Sequence, residues 1–229
     1  MRFPELIPAV FIKRGNRFTA GVKLESGGFT TAYVPTTGRL TGALHPGGRV
    51  WLSAAKNLAR RTAYNLVLTE LENGGYCSVN AVMANYLFNE HTSSGRLGAF
   101  QYEVIDKEVT IGRSRLDFRL STGKETCWVE VKSVTFAQNG MGKFPDAPTA
   151  RGRRHMEELV TLVAQGDRAS AVFIVQREDA HTFGPFDAID PEFGSVLRTI
   201  YKQGVEVHAY RCDVTTSKIE IAEEIPVEL

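Results

Sequence analysis

The sequence predicts an α/β protein led by an all-β domain, a small OB-like barrel. Three observations predict it. Over the first eighty residues, short β-rich runs alternate with turns rich in Gly and Pro. Beyond residue 80, helical segments interleave with strands, as in an α/β domain. Within that second part, residues 171–175 (Ala-Val-Phe-Ile-Val) form a continuous apolar run of strand length, expected for a strand covered on both faces.

The elements follow in order. Strands are expected at 9–13, 18–24, 29–34, 50–53, 64–69 and 76–79. The turns between them include Arg14-Gly15-Asn16, Ser26-Gly27-Gly28, Pro35-Thr36-Thr37-Gly38, His45-Pro46-Gly47-Gly48 and Asn73-Gly74-Gly75. Five or six strands in some eighty residues fit a small barrel. A helix over 81–91 then begins after Asn80, a good N-cap, and Ser93-Ser94-Gly95 closes it. Strands are expected at 100–104, 115–120 and 126–134, with a turn at Thr122-Gly123-Lys124. A helix over 149–164 stops at Gln165-Gly166, and a helix over 191–202 is followed by strands at 205–210 and 218–221. The two domains divide near residue 80, as 1–80 and 81–229.

Composition bounds the function. Hydrophobic residues at 43% and charged residues at 23% are those of a folded globular chain. No apolar run is long enough to cross a bilayer, so no membrane association is expected. The start holds Pro4, Glu5 and Pro8 and does not read as a signal peptide, so a cytoplasmic protein is expected. Cys77, Cys127 and Cys212 are scattered and lack metal-ligand spacing; Cys127, next to Trp128 in a strand, reads as core. The net charge of +1 conceals a contrast: residues 1–80 carry 10 Lys and Arg against 4 Asp and Glu, and the rest 17 against 22. A basic first part suits an anionic partner, and an acidic second part suits a cation.

One constellation carries chemistry. Asp117 lies in Arg115-Leu116-Asp117-Phe118, and Trp128-Val129-Glu130-Val131-Lys132 follows. Alternation along a strand turns Glu130 and Lys132 the same way. A hairpin through Gly123 would bring Asp117 beside them. Hard cations such as Mg²⁺ take one or two carboxylates plus waters and substrate phosphates. A neighbouring lysine can orient water or offset charge on a phosphate. No other acidic residue in the chain is followed two positions later by Lys. The same spacing also allows a plain cross-strand ion pair. Further on, Phe144-Pro145-Asp146-Ala147 leads into a helix carrying Arg151 and His155, four apart on one face. Basic residues in a first turn oppose the helix dipole, so an anionic ligand there is favoured.

These motifs together resemble a known family. Ser114-Arg115-Leu116-Asp117-Phe118, Glu130-Val131-Lys132-Ser133-Val134, Phe144-Pro145-Asp146-Ala147, Arg151-Gly152-x-x-His155 and Val175-Gln176-Arg177 closely resemble the sugar fermentation stimulation protein A family. Asn16-Arg17-Phe18 and Gly38-Arg39-Leu40 are similar to that family as well. The likeness spans essentially the whole chain. It implies an OB-fold followed by a mixed-sheet PD-(D/E)xK nuclease-like α/β domain, and DNA binding linked to regulation of sugar metabolism. By the motif match, Asp117, Glu130 and Lys132 take the nuclease positions, with Asp117 and Glu130 as metal positions. Thr36, Ala32-Tyr33 and Asn80 depart from the family's usual Asn, His and Asp.

The expected function is therefore that of a DNA-binding protein with a phosphodiesterase site using Mg²⁺ or Mn²⁺. Lys132 would place the attacking water and Arg151 would steady the phosphate, with His155 beside it. Arg14, Arg17, Arg39, Lys56, Arg60 and Arg61 would track the nucleic-acid backbone on the barrel. Phe18, Tyr33 and Trp51 offer stacking faces, although burial is the commoner fate of such residues. Gln176 is an accessory candidate, and Glu90 or Asn85 on the 81–91 helix could add an acidic or polar group to the site, although facing solvent is the commoner fate of such residues. The alternative is a non-catalytic DNA-binding regulator that retains the nuclease fold. RNA is a third possible target, since an OB barrel accepts either nucleic acid.

Overall fold

The computed structural model describes residues 1–57, 59–112 and 114–229. Its first sheet is built from β1 (Ile7–Asn16), β2 (Thr19–Leu24), β3 (Phe29–Tyr33), β4 (Arg49–Ala54), β5 (Tyr64–Glu70) and β6 (Tyr76–Ser78). Antiparallel pairing runs β3-β2-β1-β4-β5, and a parallel β3–β5 contact closes five strands into a barrel, with β6 added on β5. Closure requires strongly coiled strands. Two register shifts in β1, at Phe11–Lys13 and Arg14–Asn16, supply the bend. Alternate residues point inward: Ala9, Phe11, Val22, Ala32, Val50, Leu52 and Leu66 fill the barrel with Val34, Leu40 and Val79.

Next come α1 (Val82–Ser93), β7 (Val104–Ile111), β8 (Ser114–Thr122) and β9 (Glu125–Val134). They are followed by β10 (Phe136–Gln138), β11 (Met141–Phe144), α2 (Ala150–Ala164), β12 (Arg168–Val175) and β13 (Thr182–Pro185). The chain ends with α3 (Pro191–Lys202), β14 (Glu206–Val214) and β15 (Ile219–Glu224). The main sheet has the order β15-β14-β12-β9-β8-β7. β12 runs parallel to both β9 and β14, and the outer pairs are antiparallel, so the sheet is mixed. β12 is central and buried almost throughout, which is why its sequence is apolar on both faces. Leu87 and Phe88 of α1 pack with Phe118, Val129 and Val131 in one core cluster. Met156 and Leu159 of α2 and Leu197 of α3 pack with Leu116, Trp128 and Phe173 in another.

Three departures from the sequence reading have physical causes. The strand expected at 100–104 instead begins at Val104 and runs to Ile111. Phe100 is wholly buried in the core, packed edge-on against Phe88, so its apolar character reflects a core plug. β7 lacks a strand pattern in the sequence because Asp106, Lys107 and Glu108 interrupt its alternation, as charges often do in an edge strand. The sheet β10-β11-β13 was also not expected. Its hairpin turns on Asn139 and Gly140, both at positive φ, a two-residue signature that the sequence does contain.

Barrel and main sheet share packing. Trp51 and Leu68, on the outer side of the barrel, join the cluster containing Leu87 and Phe88. The Ser78 N–H donates to the carbonyl of Gln176, and Arg177 Nη1 donates to the carbonyls of both Gly42 and Thr135. Residues at the chain start lie outside the barrel: Arg2 bridges to Lys218, and the Ile219 N–H donates to the Met1 carbonyl. Among the described residues no helix is long and apolar enough to cross a membrane.

Candidate active site

The cleft that gathers the charged residues opens where β8 and β9 part. Their ladder is regular from Thr122–Glu125 to Phe118–Val129. One step further the strands diverge, and the Asp117 carboxylate occupies the gap. Its Oδ2 accepts from the Val131 N–H at 2.8 Å, in place of a ladder bond, and its Oδ1 accepts from Asn85 Nδ2 at 2.8 Å. Asn85 comes from α1, so the helix is tied to the site. Of its two readings, that bond favours the polar group added to the site over the commoner solvent-facing role.

Glu130 lies next to Asp117 on β9 and is 2% exposed. Its Oε1 accepts from the Lys132 ammonium and from His155 Nδ1, the latter at 2.5 Å. Its Oε2 is buried and has no hydrogen-bond partner among the described residues. Burial alone would raise the Glu130 carboxyl; the Lys132 charge and the His155 bond outweigh it and hold the group below the usual carboxylate range. Asp117 goes the other way: burial, then the Glu130 charge, push it up to about 6 against the pull of Lys132, Val131 and Asn85. The two carboxylates thus sit close enough to oppose each other's ionisation, and the Lys132 charge offsets both.

α2 supplies the next residues. Thr149 caps it, accepting from the Gly152 N–H at 3.0 Å. Arg151 and His155 share a face as expected, and Arg151 Nε lies 3.4 Å from His155 Nε2. A carboxylate only accepts, so His155 Nδ1 carries the proton and Nε2 accepts from Arg151. Both ring nitrogens are therefore engaged and the side chain is buried. The direct phosphate contact expected of His155 is corrected: it braces Glu130 from below. Arg151 lines the cleft with Asn85, Arg115, Asp117, Glu130 and Lys132, around a volume of about 420 Å³.

A second hollow of about 350 Å³ continues the first, sharing Ala81, Val131, Lys132 and Thr149, and reaches Arg17 and Thr36–Gly38 of the barrel. Asp146 joins its two walls by accepting from the Leu40 N–H at 2.9 Å. A Cβ at Gly38 would lie 2.6 Å from Asp146 Oδ1, so a side chain there would displace the carboxylate that holds Leu40.

The other candidates divide. Arg17, Arg39, Lys56, Arg60 and Arg61 are exposed. Arg14 is partly buried, and its guanidinium holds the carbonyls of Asn16 and Arg17. Its expected place among free backbone-tracking cations is corrected: it braces the β1–β2 turn. Glu90 lies 3.4 Å from the Met1 amino group, away from the cleft. Five helical positions separate it from Asn85, turning it to another side of α1, so its accessory role is corrected. Gln176 is wholly buried, and its Nε2 donates to Ser133 Oγ and the Asn80 carbonyl; it is a joint between elements. Trp51 is buried, whereas Phe18 is 45% exposed, against its expected burial. Burial raises all three cysteine thiols, Cys77 to about 12 and Cys127 to about 11, which leaves them as packing groups.

A closed OB barrel leading a mixed-sheet α/β domain, with an Asp, a Glu and a Lys at the strand divergence, defines the class of this protein. Two family models match it: "SfsA N-terminal OB domain" over residues 12–79 and "Sugar fermentation stimulation protein RE domain" over residues 80–218. The chain belongs to the sugar fermentation stimulation protein family. A homologue from Moorella thermoacetica is 43% identical over 227 residues, covering 98% of this chain and 97% of the relative. Another from Geobacter metallireducens is 40% identical over the full length of both. Among solved structures, that of Pyrococcus furiosus SfsA in complex with Ca²⁺ superposes with a TM-score of 0.91 at 28% identity, covering 100% of this chain and 98% of the other.

Proposed function

We propose that the protein is a divalent-cation-dependent phosphodiesterase acting on DNA. The observation that carries this reading is Glu130 Oε2, a buried carboxylate oxygen left without a partner beside a second, poorly stabilised carboxylate. A buried charged oxygen is costly unless something meets it. Mg²⁺ or Mn²⁺ fits that donor chemistry, held by Glu130 and Asp117. Among the described residues no third His, Cys, Asp or Glu is gathered into a metal cage. Water and substrate phosphate would complete the shell, which is how Mg²⁺ is commonly held. The P. furiosus relative was solved with Ca²⁺, another hard cation that takes oxygen ligands.

When bound, the ion supplies Lewis-acid polarisation of the phosphoryl oxygen and a more acidic water. The chain's own residues do the rest. Lys132, with its Nζ on Glu130, orients the attacking water and offsets the charge growing on the phosphate. Arg151 presents a planar donor fork to the same phosphate. Water adds its oxygen to phosphorus and one ester P–O bond breaks; one of the water's protons stays with the new phosphate and the other ends on the departing oxygen, which leaves as the alcohol. Asn85 and the Val131 N–H fix Asp117, and His155 fixes Glu130. Arg17, Arg39, Lys56, Arg60 and Arg61 hold the backbone on the barrel.

The test is a cleavage assay over single-stranded, duplex, flapped and RNA substrates with Mg²⁺, Mn²⁺ or EDTA. Cleavage that appears with either cation and disappears in EDTA is expected. Binding without cleavage of any substrate under any metal would favour the non-catalytic regulator.

A further inference from the structure

Three aromatic side chains stand on one outer face of the barrel. Along β3, Phe29 and Tyr33 point outward while Ala32 is buried. Phe29 is 77% exposed. Phe18, in the β1–β2 turn, lies near-parallel to Tyr33, with centroids 6.5 Å apart and planes at 16°. Cations cover two of these rings: Lys23 Nζ lies 5.9 Å from the Phe29 centroid, and the Arg60 guanidinium 4.9 Å from that of Tyr33. Arg60 is held there by Asn65 Oδ1 at 2.9 Å and Thr62 Oγ1 at 3.2 Å.

A lone exposed aromatic is ordinary on a protein surface. An aligned set interleaved with cations is the pattern that stacks nucleobases and neutralises phosphates. Tyr33 lies four positions beyond Phe29, a span of about 13 Å along a strand, room for more than one base. Acidic residues are almost excluded: from 12 to 34 the chain has Lys13, Arg14, Arg17 and Lys23 against Glu25 alone. Glu25 is already paired with Arg49. That charge favours a polyanion over a protein partner.

The face is also continuous with the cleft. Arg17 precedes Phe18 in the chain, and Thr36 follows Tyr33 by three residues; Arg17 and Thr36 line the hollow that leads to Lys132. In a duplex the base faces are covered by their neighbours, so exposed rings have nothing to stack on. We propose that this barrel face binds single-stranded nucleic acid by base stacking on Phe29, Tyr33, Phe18 and the Arg60 plane, and feeds it past Arg17 into the cleft. The cleft's role as a phosphodiesterase site is taken from the reading above. The substrate class is then a nucleic acid with an unpaired arm.

The experiment is fluorescence anisotropy on the full chain in EDTA. One ligand is an oligothymidylate of about 16 nucleotides, the upper range for one OB barrel; the other is a blunt duplex of equal length. A single-stranded oligonucleotide with an internal 2-aminopurine reports stacking by its quenching. Phe18→Ala with Phe29→Ala should weaken oligothymidylate binding by about tenfold or more, given typical base–aromatic stacking. Duplex affinity should hold within about twofold, and the quenching seen with the parent should be lost. Phe29 is so exposed that its removal leaves the fold intact, and Phe29→Ala alone serves as the second variant. Equal losses on both ligands, no loss on either, or a parent that does not quench would overturn the proposal. A parent that quenches but cuts nothing with any metal would overturn the phosphodiesterase reading and leave the stacking face supported. A parent that cuts while its variants bind single strands normally would do the reverse.

Discussion

At Asp117, burial and the neighbouring Glu130 raise the carboxyl to about 6, so metal-free folded protein holds a proton that the unfolded chain releases near pH 3.9. Stability from this group therefore falls as pH rises from about 4 to about 6, and the penalty persists above that window. Asp117→Asn removes the charge, and Asn85 can turn its amide to accept in exchange. In chelator, the variant should melt higher than the parent at pH 8, by on the order of 1–3 kcal/mol or a few degrees. The gain should be smaller at pH 5. Thermal melts that show equal destabilisation at both pH values would remove the like-charge account. The spacing that made Asp117, Glu130 and Lys132 legible is local, set by one hairpin and strand alternation. Asn85 was legible only as a polar group that α1 could add to the site; its bond to Asp117 and the bracing role of His155 were not, because both contacts join elements that only the tertiary fold brings together.

Among the elements, β-rich runs between Gly and Pro turns, and the central strand β12, read directly from sequence because period and punctuation encode them. β7 did not, since an edge strand carries charges where a buried one carries apolar residues. The pairing of β14 with β15 adds a charge cluster that sequence patterning could not reveal. His208 Nδ1 lies 2.7 Å from Glu224 Oε1 of β15, and Nε2 lies 3.3 Å from Glu206 Oε2, which also accepts from Arg168. Burial would lower the imidazole, but the two carboxylates outweigh it and raise it above its ordinary value. A raised histidine contributes stability that is full below about pH 6.5 and lost as pH rises through its folded value. His208→Gln should therefore lower the melting temperature clearly at pH 6 and much less at pH 9. A loss of the same size at both would mean that packing, rather than charge, holds this edge.

Across the whole molecule, the barrel and the α/β domain form the cleft jointly, and Arg177 is a main tie. Its side chain is 6% exposed, donates to Gly42 and Thr135 carbonyls at 2.9 Å each, and pairs with Asp179. Arg177→Met leaves two carbonyls without this donor and Asp179 with Asn73 alone, and should cost roughly 1–3 kcal/mol in denaturant unfolding; a change below about 0.5 kcal/mol would show that the junction does not depend on it. The central claim, that these two parts present DNA to a cation-assisted Asp–Glu–Lys site, turns on Lys132. Its Nζ meets Glu130, so a purely structural lysine would support stability and have no rate to lose. The most direct measurement is single-turnover cleavage by Lys132→Ala with Mn²⁺, beside its melting temperature and DNA affinity. The rate should fall on the order of 10²–10³-fold, by analogy with losing one oxyanion donor, while DNA affinity stays within about twofold because the barrel's cations supply most of it. A parent that cuts, with a Lys132→Ala form that melts normally and cuts at the parental rate, would contradict it.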